Sequence, residues 1–318
     1  MKGVIGRFGT ALGGVVVALG LVLGAQAQEA KKEAPKDLVL TGDAKCTRCH
    51  DESEAYPVLA IGKTKHGVTA DHRTPTCTSC HGQSENHINK PADAKERPLP
   101  DRTFGKGSQT PPEVRAEACL QCHQGSNRMY WVGSIHDRAR TVCSDCHNVH
   151  APRDQVLVTQ TQAGVCFTCH KEKRAAILRY SVHPLRTGWM TCSGCHNPHG
   201  SVGEHNLVKQ TVNETCYVCH AEKRGPLLWE HPPVKEDCTL CHDPHGTNNK
   251  PMLKARMPYL CQQCHVNPQH PSTLYSGRQL PGGQPGNFDM SRMVGQSCAN
   301  CHTKVHGSNH PSGARFTR

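Results

Sequence analysis

The apolar positions of this chain are concentrated in one run near the N-terminus. Residues 8–23 are almost uniformly apolar, follow Lys2 and Arg7, and lead into an Ala-Gln-Ala triplet at 25–27. A basic start, a short apolar run and a small-residue cleavage motif are typical of a secretory signal peptide. A membrane anchor would need about 20 apolar residues. The pattern therefore predicts a signal peptide over residues 1–27 and export of the mature chain to the periplasm.

After residue 27 the apolar positions are sparse and the polar stretches are long. Residues 28–45 form a charged lead that we predict to be flexible, and residues 89–112 have the composition of a linker. Helical spacing predicts short helices over 113–123 and 172–182, and the repeat-mate of the second helix, 221–231, is broken by a proline. The rest is expected to be short helices and irregular loops with almost no β-structure.

The composition offers little material for a conventional hydrophobic core. Only 36% of the 318 residues are hydrophobic, and 29 Gly and 22 Pro are present. Ordinary globular domains carry more apolar residues than this. Something other than side chains must therefore fill the interior.

Every one of the 20 cysteines lies in a C-x-x-C-H unit, and ten such units account for all of them. We number the units motif 1 to motif 10 along the chain. Their residues, in order, are Cys46, Cys49 and His50; Cys77, Cys80 and His81; Cys119, Cys122 and His123; Cys143, Cys146 and His147; Cys166, Cys169 and His170; Cys192, Cys195 and His196; Cys216, Cys219 and His220; Cys238, Cys241 and His242; Cys261, Cys264 and His265; and Cys298, Cys301 and His302.

The histidine after every cysteine pair decides the chemistry of these motifs. A single C-x-x-C could be a zinc knuckle or a redox dithiol. In c-type attachment, the two thiols bond the haem edge and the adjacent histidine binds the iron as proximal ligand. We therefore predict ten covalently bound c-type haems rather than disulfides. Attachment and ligation would then supply much of the folding free energy.

The other 13 histidines follow a repeat of two motifs. Consecutive motif starts from Cys119 to Cys261 are 24, 23, 26, 24, 22 and 23 residues apart. Each motif pair contains a spacer histidine between its motifs and a trailing histidine after the second. The spacer histidines are His66, His136, His183, His231 and His270, and the trailing ones are His87, His150, His199, His245 and His306. His72, His205 and His310 are surplus, although His72 could replace His66 and His310 could replace His306.

Chain length limits which iron a trailing histidine can reach. Three residues span at most about 10–11 Å, too little to place His196 and His199 on opposite faces of one iron. The trailing histidine must therefore serve another haem. We assign it to the first haem of its own pair and assign the spacer histidine to the second. Two histidines per iron leave no open coordination position, and methionines are weaker candidates while histidines are in surplus.

The formal net charge of +11 does not indicate nucleic-acid binding. Removing the signal leaves 35 basic and 26 acidic residues, or +9. With both propionates ionised, ten bis-histidine haems bring the total to about −1 when ferric and about −11 when ferrous. The basic residues are expected to offset propionates, and no nucleic-acid partner is predicted.

Motif number, length, signal peptide and the CHNxH and CHxPHG signatures resemble the MtrA/MtoA/PioA/DmsE family of periplasmic decahaem cytochromes. The resemblance covers nearly all of the mature chain, and the short lead is closest in layout to MtrA and MtoA. It implies an elongated wire of stacked haems in two pentahaem halves, residues 46–190 and 191–318. It also implies an outer-membrane β-barrel porin like MtrB or MtoB as partner, a periplasmic or inner-membrane cytochrome as donor or acceptor, and an outer-surface multihaem cytochrome as a further partner.

Three functions remain open at this point. The first is an electron conduit between periplasm and exterior, for Fe(II) oxidation or for reduction of external metals, with the likeness to MtoA favouring oxidation. The second is a multihaem reductase, which would need an open iron, whereas none of the ten motifs departs from C-x-x-C-H. The third is a soluble periplasmic shuttle to a terminal reductase. We expect an electron carrier without a catalytic residue.

Overall fold

The computed structural model describes residues 43–68, 73–265, 297–311 and 313–317. Contacts group residues 38–318 in one unit, and the division into halves at residue 190 stays a prediction. The expected signal peptide and most of the lead lie outside the described residues, as do His72 and His270.

The described chain forms short helices joined by turns and loops. The α-helices are α1 Ala44–Thr47, α2 Cys77–His81, α3 Glu85–Ile88, α4 Pro112–Leu120, α5 Ile135–Arg138, α6 Cys143–Cys146, α7 Thr159–Cys166, α8 Lys171–Ala176, α9 Val212–Tyr217, α10 Pro232–Glu236 and α11 Tyr259–Gln262. The 3₁₀ helices are Val58–Lys63, Lys65–Gly67, Ser126–Arg128, Gln155–Leu157, Cys192–Gly194, Glu204–Asn206, Ala221–Lys223, Cys238–Leu240 and Cys298–Asn300.

β-structure in the described ranges is limited to isolated bridges, such as Ser181 with Thr247 and Trp229 with Ser308. The predicted fold class of short helices and irregular loops is confirmed. The two predicted helices exist but are shorter: α4 begins at Pro112, whose fixed φ suits a first helical turn, and α8 ends at Ala176. Across the described ranges, no helix has the length and apolar content needed to cross a membrane.

The buried apolar set is small, as the composition predicts. In the described part of the chain it consists of Ala116, Trp131, Val142, Ala176, Ile177, Leu207 and Leu253. These side chains are scattered along the sequence and belong to different loops and helices. Packing among them accounts for little of the interior, so the positions of the motifs dominate the architecture.

The two motifs of a pair lie at different positions relative to a helix. The first cysteine of the first motif lies at or near the end of an α-helix, as Cys119 does in α4 and Cys166 in α7. The second motif begins a short helix of its own. Side chains preceding the first motif brace that helix: Asp43 accepts a hydrogen bond from the Cys77 backbone N–H at 2.8 Å. Asn213 does the same for Cys238 at 2.8 Å.

Candidate haem-binding sites

Within each of the five motif pairs, the first cysteines of the two motifs lie in hydrogen-bond contact. Burial raises the pKa of the Cys46 thiol, which also contacts Cys77. The same contact recurs in every later pair. The contacts join Cys119 with Cys143, Cys166 with Cys192, Cys216 with Cys238 and Cys261 with Cys298. The pairs inferred from spacing are therefore also pairs in space.

Between consecutive pairs, the second cysteines are neighbours instead. Burial raises the pKa of the Cys80 thiol, and the nearby Cys122 thiol adds to the rise. The same relation joins Cys146 with Cys169, Cys195 with Cys219 and Cys241 with Cys264. First-cysteine and second-cysteine junctions alternate along the chain. Each motif thus adjoins the next, and the ten motifs follow one another in space in their sequence order.

The two ends of this series each carry a second cysteine with no further motif to adjoin. These are Cys49 in motif 1 and Cys301 in motif 10. The alternation of first-cysteine and second-cysteine junctions leaves these two without a junction. Their role as thioether attachment points stays a prediction that rests on the C-x-x-C-H motif.

Nine motif histidines lie opposite a second histidine at a nearly constant distance. The ring centroids are 5.9–6.4 Å apart. The pairs are His50–His87, His81–His150, His123–His66, His147–His199, His170–His136, His196–His245, His220–His183, His242–His306 and His265–His231. The tenth motif histidine, His302, belongs to none of these described ring pairs.

The constant separation fits an iron atom between the rings. Rings that touch directly change their separation with their mutual tilt, but here the tilt ranges from 10° to 89° while the separation does not follow it. Two metal–nitrogen bonds of about 2 Å, with about 1 Å from each nitrogen to its ring centre, give a separation of about 6 Å. The geometry therefore suits paired axial ligands of a haem.

The histidine pairs join consecutive motif pairs rather than closing each pair on itself. A spacer histidine faces the first motif of the next pair, as His183 faces His220. A trailing histidine faces the second motif of the preceding pair, as His245 faces His196. The assignment within pairs was therefore wrong for eight of these nine; only His87, facing His50, follows it. Across each boundary between motif pairs, one pair thus gives a spacer histidine and receives a trailing histidine. We call this exchange of two histidines a joint.

The later joints share a backbone brace that brings the two exchanged histidines together. The spacer Nδ1–H donates to the carbonyl just before the trailing histidine, from His136 to Pro198, His183 to Pro244 and His231 to Val305, at 2.8–2.9 Å. Two of these joints add a two-bond β-bridge. Because the brace and the facing histidine come from the same few residues, both chain segments are fixed where they approach the neighbouring motif.

A glycine follows each of these trailing histidines, and the close approach requires it. Gly246 has φ +127°, and a Cβ there would come within 2.5 Å of the Ala176 carbonyl and the Val182 side chain. Gly200 and Gly307 also have positive φ and would meet the spacer segment of the preceding pair. Only glycine adopts such a backbone without strain while letting the two segments touch. Two of these His-Gly dipeptides end the CHxPHG signatures in the sequence, but the glycine did not contribute to the assignment of the histidines.

Hydrogen bonds donated by Nδ1–H orient most of these rings and leave Nε2 to bind a metal. Backbone carbonyls accept from the motif histidines His81, His196, His242 and His302. Carboxylates accept instead from His50 and His147, at 2.7 Å. The surplus His205 is exposed and contributes its backbone carbonyl to His196 at 2.9 Å.

Burial also favours the neutral, metal-binding form of several of these rings. It is the main cause that lowers the pKa of a set of histidines, all of them in the ring pairs. They are His66, His81, His123, His199, His231, His245 and His306. Metal ligation requires unprotonated imidazole, so the fold lowers the cost of binding iron at neutral pH.

Several buried donors lack a protein partner and fit the carboxylates of a haem. Among the described residues, the Nε atoms of Arg115 and Arg128 and the Trp131 indole nitrogen are buried without an acceptor. Trp131 lies 6.3 Å from the His199 ring. Buried donors are normally satisfied, and propionates are suitable acceptors for them. The residues present therefore fit haem by ring spacing, tautomer and polar lining.

Known proteins are similar to this chain in sequence. A family model described as a doubled CXXCH motif matches residues 183–225 and 231–270, and one described as a NrfB-like c-type cytochrome matches residues 77–163. The chain is 45% identical over 292 residues to the multiheme cytochrome MtrA of Shewanella baltica, covering 91% of this chain and 85% of that protein. The chain belongs to the MtrA family of multihaem cytochromes.

Family membership gives the motifs their chemistry. The doubled C-x-x-C-H motifs and the multihaem relative show that this cytochrome binds c-type haems covalently and transfers electrons. The haem supplies reversible one-electron chemistry at iron. The chain's own residues set the spacing, tilt and hydrogen bonding of the paired histidine rings, and the loops keep consecutive motifs in contact.

Proposed function

We propose that this cytochrome binds ten haems, each with two histidine ligands, and conducts electrons between the periplasm and the cell exterior through an outer-membrane barrel. The observation that carries the proposal is the unbroken series of motif contacts described above. Nine irons take the observed ring pairs as ligands. The tenth takes His302 together with His270, which lies outside the described residues.

The arrangement of the motifs suits electron hopping. Electron exchange is fast only between cofactors with short edge-to-edge distances, and each thioether marks a haem edge. Alternating cysteine contacts therefore bring every haem edge close to the next. The joints also give each interior haem one ligand from a neighbouring pair, which prevents adjacent pairs from separating without losing an axial bond.

A reductase is the second candidate, and the ring pairs argue against it. Reduction of a bound substrate such as nitrite needs an iron with an open coordination position. Each of the nine motif histidines in ring pairs has a histidine opposite. A substantial high-spin ferric signal in the EPR spectrum of the purified protein would favour the reductase over the conduit.

The direct test is transfer across a sealed bilayer. The holoprotein is reconstituted with its barrel partner in vesicles that enclose a redox dye, and external Fe(II) or an external ferric acceptor is added. We expect the dye to change redox state in at least one direction, and vesicles with the barrel alone to show no change. No transfer in either direction would contradict the conduit and favour a periplasmic shuttle.

A further inference from the structure

The Nδ1 acceptors of the motif histidines fall into two chemical classes. In the second motif of a pair, the usual acceptor is a backbone carbonyl, as for His196 and His242 at 2.9 Å. His147 occupies the same place in its pair, but its Nδ1 is 2.7 Å from Asp154 Oδ2. His50, in the first motif of its pair, has Glu54 Oε1 at 2.7 Å.

The carboxylate of Asp154 is firmly placed. Its side chain is only 15% exposed. Its other oxygen accepts from the backbone N–H groups of Asn148 at 3.3 Å and Val156 at 3.4 Å. A charged acceptor held at this distance forms a stronger hydrogen bond than a carbonyl does. It therefore pulls the Nδ1 proton more strongly and makes Nε2 a more electron-rich ligand.

We propose that Asp154 and Glu54 are positioning residues that lower the reduction potentials of the haems held by His147 and His50. The inference rests on the proposed ligation. Added electron density and negative charge at an axial imidazole stabilise ferric iron over ferrous iron, and hydrogen bonding to an axial ligand is an established control of haem potential. Reduction adds one electron to the iron, while the Nδ1 proton stays shared with the carboxylate.

One nearby positive charge and the exposure of Glu54 bear on the expected size of the two effects. Arg128 lies near His199, on the other axial side of the His147 haem, and helps to lower the pKa of His199 after burial. Its positive charge opposes Asp154, but a substitution at Asp154 leaves it unchanged. The Glu54 side chain is 32% exposed. Solvent screens an exposed charge more strongly, so its effect should be the smaller one.

Two other carboxylates provide a contrast within the chain. Glu172 lies 3.7 Å from His170 Nδ1, and Glu222 lies 3.7 Å from His220 Nδ1. This distance exceeds that of a hydrogen bond, and both side chains are more than half exposed. We therefore exclude them from the proposal.

The test uses potentiometric titration of the holoprotein and three variants that each remove one negative charge. In Asp154→Asn an acceptor remains for His147 but the charge is lost. We expect about one tenth of the haem absorbance change, the share of one haem in ten, to move to higher potential. The ferrous-to-ferric ratio of that haem at fixed potential should rise at least tenfold, or about 59 mV for one electron.

In Glu54→Gln a similar share of the haem absorbance change should move to higher potential, but by a smaller amount than in Asp154→Asn. Asp93→Asn, in an exposed part of the linker, is the matched control and should shift nothing. Asp154→Glu retains the charge and should recover most of the wild-type titration. Mass spectrometry showing ten attached haems in every variant keeps loss of haem apart from a change of potential.

An Asp154→Asn titration that superimposes on the wild type, with ten haems attached, would overturn the proposal. An equal shift in Asp93→Asn would also overturn it, because the effect would then be one of overall charge. If Asp154→Asn does not acquire its ten haems, Glu54→Gln decides alone. A shift of its haem to higher reduction potential supports the proposal, and no shift overturns it. These measurements use the isolated cytochrome, so failure of transmembrane conduction would leave their outcome unchanged.

Discussion

The first joint and the joint between the third and fourth pairs exchange histidines in the same way but are braced differently. In the later joint, the spacer His183 donates to the carbonyl before the trailing His245, which is followed by Gly246. In the first joint the trailing histidine is the donor: His150 Nδ1 donates to the Val58 carbonyl at 2.7 Å, and Ala151 follows it. The ring exchange therefore does not depend on one loop geometry.

The first pair differs from all later pairs because it is at an end of the series. The first motif histidine of a later pair faces a spacer histidine from the preceding pair. No pair precedes motif 1, and correspondingly His87 has no earlier motif to serve. These two leftovers face each other, as His50 and His87. The pairing of His50 with His87 inside one motif pair therefore follows from the lack of a preceding pair.

The largest expected effect comes from breaking a glycine-dependent joint. Gly246→Ala places a Cβ against the Ala176 carbonyl at a positive φ, and we expect a loss of about 2–3 kcal/mol in stability. The irons facing His183 and His245 should both show some high-spin character. Guanidinium unfolding and ferric EPR measure the two effects.

Gly164→Ala is the control for this substitution. Gly164 lies in α7, and a Cβ added there would have nothing within 4 Å of it. Alanine is also a better helix former than glycine. The substitution should leave both measurements unchanged or raise the unfolding midpoint slightly. Equal losses in the two variants would contradict the account of the joint.

Removing a single trailing ligand should affect one iron. In His245→Ala about one tenth of the ferric iron should become high-spin, whereas His205→Ala, which removes an exposed ring, should produce none. A variant that lacks the motif 6 haem, with Cys192→Ala and Cys195→Ala, tests the assignment. There, His245→Ala should add no high-spin signal.

In a variant that lacks the motif 7 haem instead, with Cys216→Ala and Cys219→Ala, His245→Ala should still add the signal. The reverse pattern would restore the assignment within pairs. The two backgrounds together therefore distinguish exchange between pairs from closure of each pair on itself.

An effect of the same size, one iron in ten, tests the comparison at the other end of the series. By the same rule, the last spacer histidine and the last motif histidine are the leftovers, so His270 should close the iron of His302. His270→Ala is expected to make that one iron high-spin, while His310→Ala leaves it low-spin. The opposite result, measured by ferric EPR, would show that the end of the series uses the surplus histidine.

The sequence predicts the binding of c-type haems correctly but not which histidine rings face each other. Cysteine spacing alone identifies every motif and the five pairs, because attachment demands C-x-x-C-H. The order of spacer and trailing histidines along the chain is the same whether they close their own pair or a neighbouring one. The distance limit excluded His196 as the partner of His199 without choosing among the neighbours. The glycines at 200, 246 and 307 carried the missing signal, since they mark where a second segment approaches.

Helix lengths were overestimated for a related reason. Apolar spacing continues past Ala176, but α8 ends there and residues 177–182 turn toward the bridge at Ser181 and Thr247. Tertiary contacts at a joint override local propensity in segments this short. The pattern of a single segment cannot report a partner about 60 residues away.

The central claim is that electrons pass through all ten haems in series. The most direct test removes the motif 6 haem by Cys192→Ala and Cys195→Ala and measures transfer to the enclosed dye in barrel-containing vesicles. A single series predicts that transfer falls to the level of the barrel alone, although nine haems remain. Transfer at the wild-type rate through the nine-haem protein would contradict it.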